Sequence, residues 1–141
     1  MKKKVMLTIR GTQHYEEQEP EVIELITEGT LQKLDNGWEL IYQESDLTGL
    51  AGVTTSFLLE GEKIVLTRTG KLNSQMVFQK GVLHNSLYEM EFGALMLTVC
   101  ASSIHYALTE DGGTIDLVYG IEIEQNSAGV IDYHLEITSV K

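Results

Sequence analysis

Cysteine and proline each occur once in this chain, and both shortages exclude something. With Cys100 alone, no intrachain disulfide can form and no CxxC chemistry is available. With Pro20 alone, almost the whole chain is free to enter sheet ladders, from whose central strands proline is barred. Apolar runs never exceed a few residues, so no transmembrane helix fits. Met1-Lys2-Lys3-Lys4 is basic, but Thr8 and Arg10 interrupt the apolar residues behind it before a signal-peptide core can form. A cytoplasmic location is the expectation. Cations are scarce as well: 10 Lys and Arg stand against 21 Asp and Glu, a formal net charge of −11. That balance argues against nonspecific nucleic-acid or anionic-membrane binding, because both rest on cationic surface. The one basic cluster, Lys2 to Lys4, lies at the extreme end. The acidity reads as a solubilising surface, and no nucleic acid, membrane, cofactor or metal is expected as a partner. A protein partner is left open.

What is present is ordinary globular material: 141 residues, 43% apolar and 22% charged. This is one domain, residues 1–141, long enough to bury about two-thirds of its unfolded surface without staples. The periodicity is that of strands. In 114–124, Ile115, Leu117, Tyr119, Ile121 and Ile123 share one face, and the other is mostly acidic or small. Residues 132–138 repeat the pattern, and 5–10 do so with weaker contrast. Turn signals separate the runs: Asn36-Gly37, Glu60-Gly61, Gly70-Lys71, Lys80-Gly81, Asp111-Gly112-Gly113 and Ala128-Gly129. Helical spacing over 16–26 is opposed by Pro20 and its β-branched neighbours. Glu16, Glu17, Glu19, Glu21 and Glu24 read as a solvated loop running into a strand.

The expected strands lie near 3–12, 22–34, 38–47, 53–59, 63–69, 75–80, 82–90, 94–101, 103–110, 114–124 and 131–140. That is one run more than a ten-stranded sheet, so either an early run is not a strand or the sheet is larger. Consecutive short hairpins without a long crossover predict an all-β, up-and-down antiparallel barrel of about ten strands, which removes both exposed edges. Closure requires 3–12 to pair antiparallel with 131–140, with Val5, Leu7 and Ile9 facing the same core as Tyr133, Leu135 and Ile137.

The stretch Tyr42-Gln43-Glu44-Ser45-Asp46-Leu47-Thr48-Gly49-Leu50-Ala51-Gly52-Val53-Thr54-Thr55 resembles the central signature of the YwiB-like family of small bacterial proteins. Tyr88-Glu89-Met90-Glu91-Phe92-Gly93 resembles that family's aromatic-to-glycine turn, and Ile115-Asp116-Leu117-Val118-Tyr119 its penultimate strand. The resemblance spans essentially the whole chain. It implies a calycin-like barrel of lipocalin-like architecture. The family is functionally uncharacterised, so it transfers no catalytic residues.

Parity then asks which polar residues point inward. Trp38, Leu40, Tyr42 and Glu44 share the bulkier face of their strand, and Ile64, Leu66 and Arg68 share one on theirs. Tyr106 and Tyr119 fall on apolar faces too. The candidate ligand-binding residues are therefore Arg68, Glu44, Tyr42, Tyr119 and Tyr106. A guanidinium among apolar walls needs a carboxylate, a phosphate or water. Two readings stand: a buried Arg68–Glu44 pair inside a filled interior, or a clamp for the anionic end of a small amphipathic ligand. No GxSxG elbow, HExxH pair or phosphate loop is present, which leans against an enzyme. Gly49-Leu50-Ala51-Gly52 reads as a bulge or wide hairpin. His105 and His134 are expected outside, solvated, without metal-ligand spacing, and Cys100 as a quiet small residue.

The expected function is accordingly the binding of a small hydrophobic or amphipathic ligand in the barrel. The alternative is a structural or protein-interaction module whose barrel is filled by its own side chains.

Overall fold

Alternating residues become alternating faces, and the faces close on themselves. The computed structural model describes residues 2–14, 19, 21–44, 52–90, 93–124 and 126–140. Among these it has ten strands: β1 (Lys2–His14), β2 (Glu21–Lys33), β3 (Gly37–Gln43), β4 (Val53–Glu60), β5 (Lys63–Gly70), β6 (Ser74–Gln79), β7 (Leu83–Met90), β8 (Gly93–Thr109), β9 (Gly112–Ile123) and β10 (Asn126–Ser139). They form one sheet in the order β6-β5-β4-β3-β2-β1-β10-β9-β8-β7, every neighbour antiparallel. This is an up-and-down barrel. No helix among the described residues is long and apolar enough to cross a membrane.

The termini make the closure. β1 and β10 pair from Val5↔Ser139 to His14↔Val130, which sets Leu7 opposite Ile137, Ile9 opposite Leu135 and Gly11 opposite Tyr133. Val5, Leu7, Ile9, Leu135 and Ile137 are all buried, and Tyr133 packs against the same core. Sequence adjacency does not guarantee pairing elsewhere. β6 and β7 follow one another in the chain, yet they stand at the two ends of the sheet order and are joined only by isolated bridges. The expectation that hairpins would seal the whole barrel is therefore corrected at this seam.

Two boundaries also differ from the pattern reading. The runs 94–101 and 103–110 are one strand, β8, and the surplus is late in the chain, not early. The register shifts between Ala101 and Ser103. A bulge there adds one residue and flips the parity, so Leu97, Val99 and Ala101 face inward before it and Ile104 and Tyr106 after it. The Ala128-Gly129 turn is likewise a bulge: β10 already begins at Asn126, and the register shifts between Ser127 and Gly129. The reversal is made earlier, where Glu124 takes a positive φ of 51°. The strand expected at 38–47 ends its described course at Gln43. Residues 45–51 lie outside the described residues, and with them most of the expected bulge or wide hairpin at Gly49-Leu50-Ala51-Gly52, as do Glu16 and Glu17 of the expected acidic loop and residues 91–92 of the expected aromatic-to-glycine turn.

The middle of the barrel is solid. Leu40, Phe57, Leu59, Ile64, Phe78 and Ile115 are at most 1% exposed. Burying each such side chain contributes about 1.5–3 kcal/mol. Above this plug, where the odd-numbered strands end and the even-numbered ones begin, the interior is hollow.

Candidate functional site

Sheet register assembles a polar row inside this otherwise apolar wall. Gly29 pairs with Tyr42, Tyr42 with Thr55, Thr55 with Arg68, and Arg68 with Ser74, across β2 to β6. Their parity turns all of them inward. Gly29 makes room for the row: a Cβ there would lie 2.7 Å from the Ile41 carbonyl oxygen and 3.2 Å from the Cβ of Tyr42. Glu44 lies just past β3 but stays in place because its N–H donates to the Val53 carbonyl at 2.9 Å.

The charged pair at the centre of this row is incompletely matched. Arg68 Nε stands 3.9 Å from Glu44 Oε2, with side-chain exposures of 16% and 2%. That distance is an ion pair without a hydrogen bond. Glu44 Oε2 instead accepts from Thr55 Oγ1 at 2.5 Å. Arg68 Nε is buried with no hydrogen-bond partner among the described residues. Burial pulls the guanidinium pKa down, but the Tyr133, Tyr42 and Glu44 oxygens outweigh it, and the net direction is upward. Arg68 is therefore a fixed cation.

Three tyrosines surround it. Tyr42 and Tyr133 share a hydrogen bond between their hydroxyls at 3.1 Å. Phe57 packs against both rings, 6.3 Å from Tyr42 and 5.9 Å from Tyr133, and Phe78 packs on Tyr119 at 4.5 Å. Burial raises the pKa of all three phenols above the ordinary tyrosine value. They are neutral hydroxyls at physiological pH, suited to hydrogen bonding and not to base or nucleophile chemistry.

The hollow they enclose has a volume of about 250 Å³. Tyr42, Glu44, Arg68 and Tyr119 line it, as the sequence reading grouped them, together with Tyr133. Tyr106 does not. It lies on the far half of β8, and its hydroxyl donates to the Gly61 carbonyl at 2.7 Å. The sequence reading of the site omitted Tyr133 and Thr55. Both carried a signal: a threonine amid Val53, Phe57 and Leu59 on one face, and a tyrosine that closure sets opposite Gly11. Gly11 leaves the Tyr133 ring space, with a Cβ there only in ordinary contact at 3.7 Å.

The outer face carries a second titratable group of residues. His134 Nδ1 lies 2.5 Å from Asp116 Oδ1 and Nε2 lies 3.4 Å from Glu136 Oε1. Among the described residues no His, Cys, Asp and Glu cluster could hold a metal ion.

The barrel is similar to the crystal structure of the ywiB protein from Bacillus subtilis, with a TM-score of 0.87 and 22% identity over 99% of this chain and 94% of that chain. No curated protein matches the chain. The DUF1934 family, a domain of unknown function, matches residues 7–137, and the chain belongs to that family.

Proposed function

We propose that the barrel binds one small amphipathic molecule, its apolar part among Ile9, Leu25, Leu97 and Ile131 and its polar end at Arg68. The observation that carries this reading is the Arg68 side chain, which lines the hollow and whose buried Nε–H has no hydrogen-bond partner among the described residues. An orphaned buried donor costs about 1–3 kcal/mol, more when charged, and a ligand acceptor would remove that cost. Tyr119 and the spare hydroxyl proton of the Tyr42–Tyr133 pair add donors beside it. These donors at one point of the wall favour a head group that accepts hydrogen bonds, such as a carboxylate. A hollow of about 250 Å³ sits at the small end of ligand sites and suits a molecule of roughly eight to twelve non-hydrogen atoms.

Native mass spectrometry of protein freshly purified from its own host tests this. An adduct of fixed mass, lost in Arg68→Met, supports binding. A bare chain removes it and puts the second reading ahead: a structural or interaction module, which the solid packing of Leu40, Phe57, Phe78 and their neighbours favours.

A further inference from the structure

A barrel whose termini close completely has its weakest joint in mid-chain. Asn73 and Glu89 exchange two backbone hydrogen bonds, of 3.0 and 2.8 Å, at one end of the β6–β7 joint. At the other end the Val82 N–H donates to the Gln79 carbonyl at 3.0 Å. Between these two points no described residue of β6 pairs with one of β7. Two inward hydroxyls flank the gap, Ser74 Oγ on β6 and Ser86 Oγ on β7, both buried and without a hydrogen-bond partner among the described residues.

The two sides of this seam match in character. Inside, Met76 of β6 and Tyr88 of β7 both line the hollow, so the hollow reaches the seam. Outside, Leu83, Leu87 and Met96 are 69%, 47% and 41% exposed. Between Leu83 and Leu87, Asn85 accepts from Thr98 at 2.7 Å, and the Met96 N–H donates to Glu124 Oε1 at 3.0 Å. The open end of the barrel is apolar as well, with Ile23 46% and Val130 43% exposed, and it too carries acid: Glu21 lines the hollow there, and exposed Glu122 stands near the end of β9. Acid stands at both approaches, with Glu89 and Glu124 beside the seam, so what sets the seam apart is its missing ladder.

We propose that the β6–β7 seam is the entry route to the hollow, with Leu83, Leu87 and Met96 as its outer lip and Ser74 and Arg68 as the first polar groups inside. The proposal rests on the ligand-binding reading of the hollow. Separating β6 from β7 between the two bridges breaks no strand ladder, unlike separation at any other joint. The register of β5 and β6 sets Ser74 directly beside Arg68, so a head group that passes the seam arrives at the orphaned donor.

The test is a reversible clamp. Gln75 and Leu87 each lie two residues from the Asn73–Glu89 bridge on the outward face, so Gln75→Cys with Leu87→Cys, in a Cys100→Ser background, can tie the seam shut. Octanoate is the probe, with affinity read by calorimetry and exchange rates by NMR. The oxidised clamp should slow association and dissociation at least tenfold while changing Kd less than threefold, and reduction should restore both rates. Unchanged rates with intact binding overturn the entry route and leave the ligand reading standing. Absence of octanoate binding in oxidised, reduced and unmodified protein removes carboxylate binding, and the entry route falls with it. Hydrogen exchange on the unmodified protein gives a readout free of ligand and variant. The β7 amides that lie between the two bridges and are not bonded to β8 should exchange at least a hundredfold faster than those bonded to β8, and equal protection overturns the proposal.

Discussion

Arg68 and Glu44 face each other inside the barrel at 3.9 Å, close enough to pair and too far to hydrogen-bond. Thr55 holds the Glu44 oxygen nearer to Arg68 in place, so the carboxylate is satisfied while the guanidinium Nε is not. Removing Arg68 alone leaves an anion in the interior without its cation. Arg68→Met should cost about 3–5 kcal/mol in urea melts. Arg68→Met with Glu44→Gln should recover much of that loss, since no unpaired charge is then left inside. Additive single effects would show that the two residues do not share a network.

The tyrosine pair makes a separate prediction. Tyr42→Phe and Tyr133→Phe each remove one partner of the same hydroxyl contact, so each should cost about 0.5–1.5 kcal/mol. The double variant should cost clearly less than the sum. A sum of independent losses would mean that the contact is not formed.

Alkaline pH should unfold the barrel through the same phenols. Tyr42, Tyr119 and Tyr133 have pKa values raised by burial, so the folded state keeps protons that the unfolded state loses near pH 10. Their contribution to stability is complete below about pH 10 and is lost as pH rises beyond it toward the folded-state values. Ultraviolet titration at phenolate wavelengths should show these residues ionising together with unfolding. Reversible ionisation of all six tyrosines in the folded protein would contradict the burial.

Gly11 offers a way to fill the hollow without disturbing the core. A Cβ at this position meets only the Tyr133 ring, at 3.7 and 3.8 Å. Gly11→Ile should therefore fold with a stability within about 1 kcal/mol of the parent, since strand positions favour β-branched side chains. It should also abolish octanoate binding measured by calorimetry. Retained binding would place the ligand elsewhere.

On the outer face, the hydrogen bond that His134 Nδ1–H donates to Asp116 raises the His134 pKa above its ordinary 6.5, with partial burial opposing it and Glu136 adding to it. The folded state thus holds this proton more tightly than the unfolded one. The resulting stability is fully present below about pH 6.5 and is lost as pH rises through the folded-state value. Because both side chains are substantially exposed, the gain is under about 1 kcal/mol. Asp116→Asn should lower the His134 pKa in an NMR titration. An unchanged pKa would rule out the Asp116 contact as its cause.

Strand parity alone placed Tyr42, Glu44, Arg68 and Tyr119 on inward faces, because a pleated backbone sends alternate side chains to opposite sides whatever the neighbouring strand is. Closure of β1 on β10 was legible for the same reason, since two terminal strands with one apolar face each can bury it only against a shared core. Parity could not tell how far along the barrel each inward residue lies. Tyr106 and Tyr119 read alike in the sequence, yet one bonds the Gly61 carbonyl at the far end and the other lines the hollow. Bulges at Ala101–Ser103 and Ser127–Gly129 were equally hidden, because an inserted residue resembles a strand break until the partner ladder is seen to continue through it. The composition, the alternation and the turns determined an antiparallel barrel with a buried cation. Only the tertiary structure decided that Arg68 Nε would lack a partner and that β6 would part from β7, because hydrogen-bond satisfaction and ladder pairing depend on distances between strands that no single strand encodes.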